Sequence, residues 1–124
     1  MKGENVVREK SYAFALRIVK LHKYITENNK ERVISKQLLR CGTSIGANVE
    51  EAIGGQSKRD FIAKISISYK EARETEYWLR LLHDSGYLDD NAAESVLSDC
   101  RELLKLLGSI LKTSKTSATK ILNS

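Results

Sequence analysis

The chain has 124 residues, a formal net charge of +5, no proline and only seven glycines. That length fits one domain with a core large enough to stand without disulfide or metal staples. With 41% hydrophobic and 30% charged residues the composition is globular rather than disordered, and Lys105 or Arg80 interrupts the longest apolar runs, so no membrane span is expected.

A first helix is expected from about Val6 to Glu27, with Asn5 as its N-cap and Asn28-Asn29 as its end. Val7, Phe14, Ile18, Leu21 and Ile25 recur at helical spacing and define its core face. A second helix is expected from about Glu31 to Ile53, with Ile34, Leu38, Cys41, Ile45, Val49 and Ala52 as its apolar stripe and Gly54-Gly55 as the break. The third starts at Ser57, where Ser57 and Asp60 stand in a capping-box-like relation, and runs to about Ser85. Gly86 follows as its left-handed stop. Its core face is Phe61, Ile62, Ile65, Tyr69, Ala72 and Leu79. The fourth begins near Asp89 or Asp90, whose charge suits the positive end of the helix dipole. It buries Val96, Leu97, Cys100, Leu103, Leu104, Leu107, Ile110 and Leu111. Short connections make sequential helices neighbours, so the fold class is all-α: an antiparallel up-down-up-down four-helix bundle over residues 1–112, with a polar, basic tail over 113–124.

Cys41 and Cys100 form no CxxC pair, and His22 and His83 sit near neither, so no metal and no cofactor is expected. Both cysteines fall on apolar helical faces and read as small buried hydrophobes in a reducing cytoplasm. Residues 1–10 are polar and charged, so no secretory leader is expected and the expected location is cytoplasmic. There is no phosphate-binding loop, zinc-protease motif, nucleophile elbow or dinucleotide-binding glycine pattern. No histidine has a glutamate three residues before it, as a di-metal bundle needs. No catalytic residue is assigned, and the chain is not expected to be an enzyme.

Two helices carry more apolar surface than one core absorbs. On the first, Tyr12, Leu16 and Val19 cluster about 150° from the Phe14–Ile25 face at 100° per residue. On the third, Ile67, Trp78, Leu81 and Leu82 lie away from the core stripe. Such faces mark an interface, so Tyr12, Leu16, Val19, Ile67, Trp78 and Leu81 are candidate contacts in a homo-oligomer; a broad, wrapped core is the alternative.

The most distinctive stretch is QLLRCGTSIGANVEEA, residues 37–52. Gln37, Arg40, Ser44, Asn48 and Glu51 fall at steps of three or four and form one polar ridge, while Gly42, Gly46 and Ala47 leave another face smooth enough for a neighbouring backbone. Glu71 and Glu76 on the third helix are the acids expected to answer it, with Glu71 and Glu74 lying towards the Trp78 face. The ridge reads as a buried polar network that fixes the register of these two helices; an active site is the alternative.

Charge is uneven. Residues 1–40 hold ten Lys/Arg against four acids, and residues 105–124 hold Lys105, Lys112, Lys115 and Lys120 with no acid. Lys10, Arg17, Lys20 and Lys23 are the candidate nucleic-acid contacts, and RNA or DNA is a candidate partner; the alternative is charge that only solvates the helix faces.

The stretches SYAFALRIVKLHKYI, QLLRCGTSIGANVEEA and SYKEARETEYWLRLLHDSGYL resemble a bacterial family of four-helix-bundle proteins encoded in intervening sequences of 23S ribosomal RNA genes. The most specific part is the spacing of Gln37, Arg40, Ser44, Ile45, Asn48 and Glu51, followed by Ser68 and Glu71. Gly46 stands where many members have proline, and Ala52 where many have glycine. The resemblance implies a homopentameric assembly of bundles. It extends in fold to accessory proteins of diversity-generating retroelements, where a basic pentamer is thought to bind nucleic acid and reverse transcriptase. The function expected is a non-catalytic oligomeric bundle, RNA- or ribosome-associated through a basic surface, or alternatively a protein-interaction scaffold without nucleic-acid binding.

Overall fold

The structure is a computed structural model that describes the backbone of residues 2–123 and the side-chain surroundings of residues 3–117. It is all-α: four helices form a bundle, with no strand among the described residues. The helices are α1 (Lys2–Tyr24), α2 (Ile34–Ile53), α3 (Lys58–Asp84) and α4 (Asp90–Asn123). Each packs on two neighbours, α1 on α2, α2 on α3, α3 on α4 and α4 on α1. One core runs through all four, built from Val7, Phe14, Ile18, Leu38, Ile45, Val49, Ile65, Leu79, Cys100, Leu103 and Leu107, among others.

The helix ends have local causes. A π-helical turn, Ile25–Asn29, extends α1, and Lys30 then stops it in the left-handed conformation at φ 58°. Glu31 starts α2: its carboxylate accepts the backbone N–H groups of Val33, Ile34 and Ser35 at 3.0, 2.9 and 2.8 Å. Burial pushes the Glu31 carboxyl up, but those N–H bonds together outweigh it and hold its pKa below the ordinary value. Ser57 caps α3 by accepting the Asp60 N–H at 3.0 Å. At the other end Gly86 adopts φ 88°, and Tyr87 N–H reaches back to Leu82 O at 2.9 Å, a Schellman stop. Asp89 then caps α4 by accepting the Ala92 N–H at 2.8 Å.

Several expectations need correction. The first helix begins at Lys2, so Asn5 lies inside it and caps nothing; the second begins three residues after Glu31, which acts as its cap. Leu82, expected on an outer face of α3, is fully buried, because the α3 core stripe is wide enough to take in its helical angle. Residues 113–123 continue α4 as helix, with Ser114 buried and Ser117 Oγ accepting from Lys58 Nζ at 2.9 Å. The side chain of Lys120 lies outside the described residues.

The glycines of α2 set the α1–α2 spacing. A Cβ on Gly42 would stand 2.9 Å from two Ile18 side-chain carbons, and one on Gly46 would stand 3.2 Å from Ser11 O. Ala47, grouped with them by sequence, is exposed.

Candidate functional site

The α2 ridge lies along the seam with α3, but at its surface. Arg40 is exposed; its Nη1 is 3.3 Å from Glu71 Oε2, and its Nη2 pairs with Glu74. Gln37 Oε1 accepts from Arg40 Nε at 3.4 Å. Ser44 Oγ donates to Arg40 O at 2.7 Å, and Asn48 Nδ2 to Ser44 O at 2.8 Å, so these two side chains bond back along their own helix. Glu51 is exposed and pairs with Lys64 Nζ at 3.8 Å. The expectation of a buried network is therefore corrected. Long charged side chains meet in solvent at the rim of the seam, which avoids the cost of desolvating them.

Short hydroxyls occupy the buried polar positions instead. Ser68 Oγ donates to Ile45 O at 2.8 Å, linking α3 to α2. Thr75 Oγ1 donates to Glu71 O at 2.7 Å and lies 3.2 Å from Cys41 Sγ. Among the described residues no buried side-chain nitrogen or oxygen lacks a partner. Glu76 is also displaced from its expected role: it faces α4, where Arg101 Nε donates to it at 3.0 Å. Its place in the Arg40 cluster is taken by Glu74, which also accepts from Trp78 Nε1 at 3.0 Å. The i, i+4 spacing of Glu74 and Trp78 is the sequence signal for that contact.

The four candidate cations divide into two kinds. Lys10 Nζ pairs with Glu102 at 3.0 Å, and Arg17 Nη1 with Asp99 at 2.6 Å, while Arg17 Nη2 donates to Ser95 Oγ at 2.6 Å. These pairs stitch α1 to α4 and line a shallow groove whose floor is Phe14 and Leu103. Lys20 and Lys23 are exposed and take part in no ion pair. Nothing in the spacing of Lys10 and Arg17 reveals their acids, because Asp99 and Glu102 are about 80–90 residues away.

The apolar candidates also divide. Tyr12, Leu16 and Val19 are 65%, 48% and 46% exposed, aligned i, i+4, i+7 on the solvent side of α1. On α3, Ile67 is exposed, whereas Trp78 and Leu81 are only half-buried, with Trp78 packed against the core and edge-on to Tyr77.

Both thiols are buried and free. Burial pushes Cys41 up to about 11, with the Thr75 hydroxyl opposing, and Cys100 up to about 12, with Glu76 adding to the effect. Among the described residues no group of three or more His, Cys, Asp or Glu could hold a metal ion, and no helix is long and apolar enough to cross a membrane.

The family model of the 23S rRNA-intervening sequence protein matches residues 3–109. This chain belongs to that family. It is also similar to a crystal structure from Bacteroides thetaiotaomicron VPI-5482, a protein with unknown function from the S23 ribosomal protein family. The two are 53% identical over 89% of this chain and 98% of that one, with a TM-score of 0.87. No protein with a curated description matches. The match over residues 3–109 reaches all four helices, while α4 runs on to Asn123, and it takes in every candidate site residue named above.

Proposed function

We propose that this family member is a non-catalytic bundle that assembles with copies of itself and associates with RNA through a basic surface. The observation that carries this reading is the outer face of α1. It combines an exposed apolar row, Tyr12, Leu16 and Val19, with two exposed cations free of acid partners, Lys20 and Lys23. An apolar row of that kind favours a protein contact, and unpaired lysines favour phosphate.

The bundle is antiparallel. Cross-helix contacts support this by running in reverse order: Arg8 with Glu50, Ser11 with Gly46 and Ile18 with Gly42 between α1 and α2. Lys10 with Glu102 and Arg17 with Asp99 do the same between α1 and α4. Five copies, the number implied by the family resemblance, would carry five times the single-chain +5 and steer a polyanion strongly. Free buried thiols suit a reducing cytoplasm. Arg40 is already paired with Glu71 and Glu74, and this favours a structural ridge over an active site.

A second reading, a protein-interaction scaffold without nucleic-acid binding, is favoured by one observation. Lys10 and Arg17 are neutralised by Glu102 and Asp99. Light scattering and a salt titration with labelled RNA test both. Assembly predicts several times the 14.0 kDa chain mass, and RNA association predicts binding at low salt that falls steeply as salt rises. A monomer, or no binding at low salt, overturns the corresponding half.

A further inference from the structure

The geometry points to the α1–α2 junction, the tip formed by Lys20, Lys23, Tyr24, Lys30, Arg32 and Lys36, as a binding surface for single-stranded polynucleotide. This inference rests on the RNA reading above and says where and in what form the nucleic acid is held.

Residues 20–36 hold five cations and two acids, a surplus of three out of the whole chain's five. All five cations are exposed and none takes part in an ion pair. One of the two acids, Glu31, is turned onto the backbone of α2, where its oxygens are taken by the N–H groups of Val33, Ile34 and Ser35. That leaves Glu27 as the one acid of the tip with no hydrogen bond or ion pair. The other described cations of α1 are spent within the fold: Arg8 on Glu50, Lys10 on Glu102, Arg17 on Asp99. Among the described side chains, the unpaired positive charge of α1 therefore begins at Lys20.

The tip also offers a ring. Tyr24 is 57% exposed, directly after Lys23 and one helical turn beyond Lys20 on the same side. In the same junction, Val33 is 76% exposed. A tyrosine face among cations is what an unstacked base needs, because stacking tolerates any base and the cations hold the backbone. Base pairs in a duplex are already stacked and cannot use that face. An acidic peptide would satisfy the charge but leave the ring idle, so polynucleotide is the occupant that uses both. RNA and DNA single strands share this chemistry.

The test is fluorescence anisotropy of the full chain with end-labelled oligouridylate, oligothymidylate and a duplex RNA of the same length. Variants are Lys20→Glu with Lys23→Glu, Tyr24→Ala, Tyr24→Phe and, on α4, Lys105→Glu with Lys112→Glu. Each is first checked by light scattering for the mass of the parent. The tip reversal should weaken single-strand binding at least about ten-fold and reduce the salt slope by about 1.4, two phosphate contacts at 0.7 each. Tyr24→Ala should weaken single strands about ten-fold and leave the duplex unchanged, with Tyr24→Phe retaining affinity. The α4 pair should stay near the parent. Equal uridylate and thymidylate binding would mark a phosphate-and-base site, and a uridylate preference a contact with the ribose hydroxyl; both keep the site at the tip. Binding lost with the α4 pair but not with the tip overturns the inference and leaves the RNA reading standing. No binding to any oligomer by the parent chain overturns both.

Discussion

Gly42 on α2 is the seat of Ile18 on α1: a Cβ there would lie 2.9 Å from both Cγ1 and Cγ2 and 3.3 Å from Cβ of Ile18. Ile18 is fully buried and β-branched, so it cannot swing aside cheaply. Gly42→Ala gains about 1 kcal/mol of helix propensity but incurs about 1–3 kcal/mol of overpacking. The expected outcome is a net loss of up to about 2 kcal/mol in urea unfolding, and Gly42→Ala should cost less in an Ile18→Ala background, which lacks both Cγ atoms, than in the parent. A Gly42→Ala protein more stable than the parent would show that the helices simply part.

At the α2–α3 seam, inner and outer polar contacts should differ in weight. Arg40→Ala breaks half-exposed pairs with Glu71 and Glu74 and should cost about 1 kcal/mol or less. Ser68→Ala removes a buried hydroxyl bonded to Ile45 O and should cost about 0.5–1.5 kcal/mol at any salt concentration. Denaturant melts at low and high salt separate the two, since only the Arg40 contribution is screened.

The apolar row on α1 makes its own prediction. Leu16→Glu with Val19→Lys should reduce the light-scattering mass towards 14.0 kDa while the helical circular dichroism signal persists, because both side chains are about half exposed in the isolated bundle. An unchanged mass would place the assembly contact elsewhere.

His83 on α3 bridges to Asp90 at the start of α4, Nε2 to Oδ1 at 2.8 Å. That hydrogen bond, aided by the charges of Asp90 and Asp84, raises the histidine above its ordinary 6.5. A raised folded pKa means the protonated form favours folding. The stabilisation is therefore complete below the unfolded value and fades as pH rises through the folded one. The melting temperature of His83→Gln should fall below that of the parent at mildly acidic pH, and the gap should close at mildly alkaline pH.

Thiol accessibility offers a check on the core. With Cys41 pushed up to about 11 and Cys100 to about 12, neither is a thiolate near neutral pH, and both are buried. An aromatic disulfide reagent should find almost no reactive thiol in the native protein and two after denaturation. Rapid labelling of either cysteine in the native state would mean that α2 or α4 opens easily.

Four helices, their stops at Gly54-Gly55 and Gly86, the Ser57 cap and most core faces could be read from the sequence. Periodicity and capping are local properties, set by residues within one or two turns. The spacing of Gln37, Arg40, Ser44, Asn48 and Glu51 likewise pointed to the family, since a motif on one helix needs no partner to be seen. What lay beyond it were the relations between helices. Only tertiary structure paired Arg8 with Glu50, Lys10 with Glu102 and Arg17 with Asp99, and so left Lys20 and Lys23 as the unpaired cations among the described side chains of α1. It exchanged Glu76 for Glu74 beside Arg40, brought Leu82 inside, and set short hydroxyls rather than long charges within the α2–α3 seam. Helical angle gives a residue's direction to within a broad sector, but a lysine or arginine reaches across several angles and finds whichever acid the neighbouring helix presents. That acid belongs to another part of the chain, and only the packing of helix against helix determines which one it is.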